Sequence, residues 1–486
     1  MKRSRAAIHS APRWSIGHGG KGTTSMHRIS ITSALLTGSA LLLSMPAMAA
    51  QDPPAAEATE PDASDATADA TIASAGQLDA AQAQIELLQA QIEALQTSVE
   101  SLRAQVTKQV PSWKGAPQLE DKEAGWSFKP RGRLMYDFAT VGAPDGYSNA
   151  GLGFSNEVRR ARLGVEGSVP GGFGYKFELD FAPGDVEFTD ALLSYKAGDA
   201  EFIVGQHNNF QSLDELTSSL HSSFIERAAF TDAFGFERRV GASVQYTKGD
   251  LLAQLGAFTD SINDLNNVGD DNNSYGVDGR LVFAPKMGSN QLHFAGSAHW
   301  RELNDAATTV RYRQRPAVHT TDVRFVDTGN ISGATSETGY GLEAAGIFGP
   351  FHLASEAYWQ QVGRIGSLTK PTFFGGYIEA GYFLTGESRG YKGGKFDRVK
   401  VLKPVGKDGW GSLGFNLRWD YLDLTDGGFI GGTQNAYQAS LNWKPTDYVL
   451  FGLNYAHILY NDAAISVSGD RDYSVDMAAL RAQVDF

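Results

Sequence analysis

Between Gly125 and Phe486 the chain consists of short segments in which apolar and polar residues alternate. In one of them, apolar Phe415 and Trp419 alternate with polar residues such as Arg418. A repeat of two residues places one kind of side chain on each face of a β-strand. Sixteen such segments can be counted, so the sequence predicts an all-β fold with sixteen antiparallel strands.

The connections between these segments alternate between short and long. The short ones comprise residues 169–172, 197–199, 248–250, 286–289, 348–350 and 444–447. The long ones include residues 140–156, 208–239, 259–274, 302–337 and 459–474, and 385–409 is long on the side of the short turns. An even strand number with short turns on one side and long loops on the other is typical of outer-membrane barrels. Because a soluble two-sheet sandwich does not require this alternation, the sequence predicts a transmembrane β-barrel over residues 125–486.

An N-terminal targeting segment agrees with a barrel that is exported. The apolar run Ser33–Ala50 follows the basic Arg28 and contains a small-residue cleavage site at Ala49. This pattern predicts a secretory signal peptide over residues 1–49 and export to the bacterial outer membrane. Met26 is an alternative start, in which case residues 1–25 are an upstream over-extension of the reading frame. At the other end, an amphipathic strand closing on Phe486 resembles the assembly signal of outer-membrane barrels.

Two further segments precede the barrel. Residues 50–76 are rich in Ala, Asp, Pro, Thr and Glu, a composition that predicts a disordered linker. Over residues 77–108, apolar side chains recur at alternating spacings of three and four, at Leu78, Ala81, Ile85, Leu88, Ile92, Leu95, Val99, Leu102 and Val106. This heptad pattern predicts a short coiled-coil helix. An amphipathic helix packed against a domain is the alternative interpretation.

The composition and the absence of known motifs exclude several functions. With 42 Lys and Arg against 55 Asp and Glu, the net charge of −13 argues against a nucleic-acid partner. The chain has no cysteine, and its ten histidines show no metal-ligand spacing. No nucleophile elbow, phosphate-binding loop or dinucleotide fingerprint is present. We therefore expect neither a cofactor nor an enzyme, with a barrel-embedded hydrolase such as an outer-membrane phospholipase as the alternative.

Arginine residues form the candidate site. Two pairs occupy predicted inward positions of the first two strands and a triplet lies in a long connection, namely Arg131 and Arg133, Arg160 and Arg162, and Arg311, Arg313 and Arg315. The planar guanidinium group keeps its charge and matches the oxygens of phosphate. Such groups around a water-filled constriction would select anions. The turn at 385–409 adds seven basic residues against three acidic ones, including Lys392, Lys395 and Arg398. Alternatively, inward carboxylates pair with the arginines and stiffen the wall.

Several stretches resemble the phosphate-selective porin O/P family. They are Arg159–Gly167, Tyr175–Phe181, Thr189–Ala191, Leu213–Ser219, Phe224–Ala228 and Tyr382–Lys392. The resemblance covers residues 125–486 and implies a sixteen-stranded homotrimeric channel in outer-membrane lipid. It also implies that a basic periplasmic turn and a set of arginines line the ion path, namely Arg160, Arg162, Arg227, Arg311, Arg313 and Arg315.

The expected function is the passive uptake of phosphate or similar small anions through a water-filled pore. Two alternatives remain open. One is a weakly selective general porin with the same fold. The other is a structural barrel whose coiled coil tethers the outer membrane to a periplasmic partner.

Overall fold

The structure is a computed structural model, and it describes residues 66–109, 112–182, 184–265, 273–305 and 308–486. The predicted signal peptide, residues 1–49, lies outside the described residues. The same holds for residues 50–65 of the predicted linker. Both segments therefore stay predictions.

Helix α1 spans Ala66–Gln109. It begins inside the segment assigned to a linker, so the helical region is longer at its N-terminal end than the heptad pattern predicts. The seam residues whose side chains are described are all exposed, for example Leu88 and Leu95 at 52% and 64%. Association of this seam into a coiled coil stays a prediction. Among the helices in the described part of the chain, none has the length and hydropathy needed to cross a membrane.

Sixteen long antiparallel strands form the barrel, which confirms the predicted fold class. They are β1 (Trp126–Val141), β2 (Gly153–Val169), β3 (Phe173–Asp180), β4 (Glu187–Ala197), β5 (Ala200–Asn208), β6 (Arg238–Lys248), β7 (Leu251–Phe258), β8 (Tyr275–Phe283), β9 (Asn290–Glu302), β10 (Ala334–Phe348), β11 (Phe351–Arg364), β12 (Thr372–Phe383), β13 (Ser412–Asp426), β14 (Phe429–Thr446), β15 (Val449–Asn461) and β16 (Tyr473–Asp485). Each strand pairs with the next, and β16 pairs with β1, with Leu480 opposite Phe138. This last pairing closes the sheet and leaves the barrel without a free edge.

The period of two explains which side chains face out. In β13, Phe415, Leu417 and Trp419 are exposed on the outer surface, whereas Arg418 and Asp420, which alternate with them, are buried inside. Outward apolar side chains suit a hydrocarbon environment, while inward polar ones suit a water-filled lumen. This part of β13 is therefore apolar on its outer face and charged on its inner face.

Smaller elements lie before the first long strand and between the long strands. The short helices are α2 (Leu213–Leu216), α3 (Ala229–Ala233) and α4 (Ile262–Leu265). The short strands are Ser112–Lys114, Ala116–Asp121, Lys286–Met287, Thr309–Val310, Arg313–Gln314, Val326–Asp327, Ile331–Ser332, Gly390–Lys392 and Lys395–Asp397.

The connections follow the predicted alternation with one further exception. Most turns after even-numbered strands are short. The exception is the connection between β12 and β13, residues 384–411, which we call the basic turn. On the opposite side, however, β13 and β14 are joined by only Gly427 and Gly428, with φ angles of 60° and 88°. Glycine adopts these left-handed conformations without steric cost, so this hairpin is tight where the pattern predicts a loop.

Two long loops fold into the barrel and carry its apolar core. Residues 209–237, which we call the inner loop, supply Phe230 and Phe234, and the connection between β9 and β10 supplies Tyr312. The ring of Phe230 stacks on Tyr358 of the wall, with ring centroids 5.8 Å apart. The two loops therefore pack against the inner face of the wall, including Tyr358 of β11 and Phe373 of β12.

Candidate functional site

The inner loop is held across the lumen by carboxylates of the wall. Glu356 of β11 accepts the backbone N–H groups of Leu213 and Asp214 at 2.9 and 2.7 Å. Asp420 of β13 accepts the N–H group of Ala229 at 2.9 Å. Charged acceptors make hydrogen bonds roughly twice as strong as neutral ones, so these contacts fix the loop at two points.

A cleft of about 310 Å³ opens between the inner loop and strands β2, β4, β5 and β6. Six arginines line it, namely Arg159, Arg160, Arg162, Arg227, Arg238 and Arg315. Five carboxylates also line it, namely Glu187, Glu215, Glu226, Asp232 and Glu237. The formal charges nearly balance, so the behaviour of the cleft depends on which of these groups are already paired.

A β-bulge brings consecutive arginines to the cleft. In the β1–β2 ladder, Met135 lies opposite Arg160 and Tyr136 lies opposite Val158, so Arg159 is an extra residue without a partner. A bulge locally breaks the alternation of a strand. As a result Arg159 and Arg160 both reach the cleft. In a regular strand these two consecutive side chains would lie on opposite faces.

Ion pairs engage five of the six arginines. Their closest contacts to a carboxylate oxygen are Arg159 to Glu226 at 2.7 Å, Arg162 to Asp180 at 2.7 Å, Arg227 to Glu215 at 3.4 Å, Arg238 to Asp190 at 3.1 Å and Arg315 to Asp322 at 3.0 Å. The predicted alternative, in which lumen arginines pair with lumen carboxylates, therefore describes most of the lining.

Arg160 differs from the other five arginines of the cleft. Among the described residues, no carboxylate lies within 4.0 Å of its guanidinium group. Its Nη1 contacts Sδ of Met135 at 3.8 Å, and a thioether is a weak acceptor. Arg160 therefore has hydrogen-bond donors available to a ligand in the cleft.

A second cavity, of about 460 Å³, opens towards the side of the short turns, and Lys176 lines it. Asp190 contacts one lining residue of each cavity, because it lies 2.6 Å from Nζ of Lys176 and 3.1 Å from Nε of Arg238. Lys395 of the basic turn is near this cluster. Desolvation by the surrounding wall, together with the charges of Lys176 and Arg280, lowers the pKa of Lys395 to about 8, although the side chain stays accessible to solvent.

The basic turn folds against the inside of the wall. Arg389 lies 3.0 Å from Glu379 of β12, and Arg398 forms an ion pair with Asp485 of the last strand. These two residues anchor the turn. Lys392 and Lys395 are exposed, and neither has an ion-pair partner within 4.0 Å in the described part of the chain.

The other predicted arginines are placed differently. Arg131 pairs with Glu166 near one end of the barrel, and Arg133 donates to Glu178 at 3.2 Å and to Ser219 of the inner loop at 3.2 Å.

The triplet is divided. Arg315 lines the cleft, whereas Arg311 forms an exposed pair with Asp327, and Arg313 is exposed and lines neither cavity described above. Alternation does keep the three on one side, because Tyr312 and Gln314 between them are buried. It does not bring them together in the cleft, which Arg315 lines and Arg311 and Arg313 do not.

Three functional candidates were missed from the sequence. Lys176 follows the inward alternation of β3 and could have been found from it. Arg238 was missed because the apolar pattern of this segment starts at Val240, whereas β6 begins two residues earlier, at Arg238. Glu215 of α2 lies in the inner loop, where no period indicates direction.

Comparisons with known proteins agree with this architecture. The family model described as phosphate-selective porin O and P matches residues 128–486. An uncharacterized protein of Caulobacter vibrioides is 49% identical over 384 residues, which cover 77% of each chain. Porin O of Pseudomonas aeruginosa is 26% identical over 404 residues, covering 74% of this chain and 89% of that protein. A solved structure of OmpT from Vibrio cholerae with loop L8 deleted is 10% identical, with a TM-score of 0.48, and covers 74% of this chain and all of its own. Because the family model matches more than half of the chain, the protein belongs to the phosphate-selective porin O and P family of the bacterial outer membrane.

Proposed function

We propose that this outer-membrane channel is anion-selective and serves the passive uptake of phosphate or similar small oxyanions. The observation that carries the proposal is the unpaired guanidinium group of Arg160, which lines the cleft between the inner loop and β2. An anion in a constriction loses part of its hydration shell, and fixed donors at close range replace it. Because the neighbouring arginines already have carboxylate partners, Arg160 is the group that contacts the passing anion.

The test is a pair of substitutions measured in planar lipid bilayers. Arg160→Gln removes the free charge and should move the reversal potential in a salt gradient away from anion preference. It should also weaken the block of chloride current by phosphate about tenfold, the expected loss for one charge-assisted hydrogen bond. Arg160→Lys should keep the anion preference but bind phosphate less tightly, because lysine lacks the fork of donors.

The matched control is Arg311→Gln, which makes the same chemical change in the exposed pair with Asp327. This variant should conduct as the unmodified channel does. If Arg160→Gln keeps the original reversal potential, Arg160 does not determine selectivity and the proposal is wrong.

A weakly selective general porin is the second candidate. It is favoured by the near balance of six arginines and five carboxylates in the cleft. Such a channel would give a reversal potential near zero before any substitution, so the same bilayer measurement separates the two functions.

The remaining expectations concern assembly. We propose a homotrimer in outer-membrane lipid, with the signal peptide removed and α1 in the periplasm as a coiled coil. The alternative tethering role rests on the same helix. The mass of the detergent-extracted particle, with and without residues 66–109, gives the number of barrels per particle. A helix that serves only as a tether leaves this number unchanged when it is deleted, whereas a helix that holds the oligomer together lowers it.

A further inference from the structure

We propose that part of the basic turn is a strap that crosses the barrel and limits the size of the solutes that pass, whatever their charge. The strap comprises residues 389–398, and its middle is a hairpin of the short strands Gly390–Lys392 and Lys395–Asp397. A size limit of this kind goes beyond the proposed anion selectivity and does not depend on it.

The strap is attached to opposite sides of the barrel. At its base, Arg398 forms an ion pair with Asp485 of β16. At its tip, the carbonyl oxygen of Gly394 accepts a hydrogen bond from Nη2 of Arg280 in β8, at 2.8 Å. In the closed ring of sixteen strands, β8 and β16 are eight positions apart and therefore face each other across the lumen. Residues 394–398 thus connect opposite walls.

The tip is a tight turn of two glycines. Gly393 and Gly394 have φ angles of 58° and 73°, and two left-handed residues in a row form the turn that suits twisted antiparallel strands. Their surroundings differ. A Cβ atom on Gly394 would lie 2.8 Å from Cδ2 of Leu252 and 3.2 Å from Nη1 of Arg280, whereas one on Gly393 would meet no described atom within 4 Å. The tip therefore contacts the wall through Gly394, where a side chain would not fit.

The neighbouring strands hold Arg280 in position for the tip. Its Nε and Nη2 atoms donate to the two carboxylate oxygens of Glu343 in β10, at 2.8 and 2.6 Å. Nε2 of His293 in β9 lies 3.1 Å from the same carboxylate, and its Nδ1 lies 2.7 Å from the hydroxyl of Tyr391 in the strap. Glu343 therefore fixes Arg280 and His293 as a buried seat. The strap binds this seat through the backbone of Gly394 and the hydroxyl of Tyr391.

The base of the strap is packed against the inner loop. Arg389 lies 3.0 Å from Glu379 of β12, and its guanidinium group stacks 3.9 Å from the ring centroid of Phe396. Nη2 of Arg389 also donates to the carbonyl oxygen of His221 in the inner loop, at 3.1 Å. The cavity between the basic turn, the inner loop and strands β11–β15 has a volume of about 40 Å³, which holds about one water molecule. That cavity is too small for a sugar or a hydrated ion.

A larger cavity lies beside the tip of the strap. Its volume is about 460 Å³, and strands β1–β5 line it. Lys395 of the strap is close enough to Lys176 in that lining for the two charges to interact. A strap that is held at both walls cannot move aside for a large solute, whereas a strap attached by its base alone can. The contact of the tip with Arg280 therefore determines the size limit.

Uncharged sugars test this size limit, because they do not respond to fixed charges. The full-length channel is reconstituted into liposomes, and swelling rates are measured with a monosaccharide and with a tetrasaccharide. The unmodified channel should admit the tetrasaccharide much more slowly. Gly394→Val should push the tip off Arg280, and the loss of one charge-assisted hydrogen bond raises the share of detached tips about tenfold. The tetrasaccharide rate relative to the monosaccharide rate should therefore rise severalfold.

Gly393→Val is the matched control. It places the same side chain at the other left-handed residue of the turn, where no wall contact is lost, and should leave the ratio of the two rates near its original value. Deletion of residues 391–396 removes the hairpin, and Gly390 and Asp397, which are paired across it, can then be joined directly. This deletion should give the largest increase. Chloride conductance reports that each variant has folded.

The outcomes are separable. Equal rates for the two sugars in the unmodified channel, or an unchanged ratio after the deletion, would overturn the size limit. Equal ratios in the two valine variants would overturn the seat on Arg280. The reversal potential of Arg160→Gln tests anion selectivity independently, because sugars carry no charge, so either proposal can fail without the other.

Discussion

Replacing Glu356 with Gln should release one end of the inner loop and make the channel leak. Both oxygens of this carboxylate accept backbone N–H groups of α2, from Leu213 at 2.9 Å and from Asp214 at 2.7 Å. The hydroxyl of Tyr377 also donates to it at 3.0 Å. A glutamine offers only one oxygen, and its amide N–H₂ group would face an N–H donor.

The size of the effect follows from these contacts. Leaving one buried N–H group without an acceptor costs ~1–3 kcal/mol. That cost raises the population of the detached loop about 5- to 150-fold. The barrel strands keep their ladder, so the melting temperature should change little while the loop becomes mobile.

Single-channel recording checks this prediction. Glu356→Gln should show a higher mean conductance and more current noise than the unmodified channel. Glu201→Gln is the control, because Glu201 accepts a hydrogen bond from Gln245 of the neighbouring strand at 2.9 Å and does not contact the inner loop. If the two variants behave alike, the loss of a lumen charge explains the change, and the loop is not held by Glu356.

Other perturbations give independent tests. Because the pKa of Lys395 is lowered to about 8, this lysine is charged at neutral pH and neutral above that value. Anion preference should therefore fall between about pH 7 and pH 9, and Lys395→Gln should remove that part of the pH dependence. Gly132→Val should impair barrel assembly, because a side chain there meets the ring of Phe486; overpacking of this kind costs ~1–3 kcal/mol. Gly279→Val, where the nearest atoms are 3.9 Å away, should assemble normally, as judged by heat-modifiable gel migration. Leu88→Asp in an isolated 77–108 peptide should abolish oligomers seen by sedimentation, and a wild-type peptide that is monomeric at high concentration would contradict the coiled coil.

Much of the barrel could be predicted, because a strand between lipid and water carries its environment in its sequence. Phe415, Arg418 and Trp419 identify the two faces of β13 without knowledge of any other strand. The lengths of the connections then indicate which ends of the strands carry the short turns and which carry the long loops. The same reasoning failed at Gly427 and Gly428, because a turn of two glycines can connect two antiparallel strands as well as a long loop can.

The candidate site was only partly predictable. Alternation identified Arg160 and Arg162 as inward, and the family resemblance identified Arg227. The pairing of Arg227 with Glu215 depends on how the inner loop crosses the lumen. So does the lack of a carboxylate partner for Arg160 among the described residues. A loop has no fixed period, so the direction of its side chains cannot be read from their spacing.

The sequence by itself determined the strand number, the inward and outward faces and the supply of lumen arginines, because these follow from the local period of two. The tertiary structure alone decided which arginine of the cleft has no carboxylate within 4.0 Å among the described residues. The bulge at Arg159 turns two consecutive guanidinium groups into one cleft, and Glu226 of the inner loop then pairs with Arg159 and not with Arg160. Charge pairing requires groups within about 4 Å of each other, and in a closed barrel that proximity is set by loops and wall residues far apart in the chain.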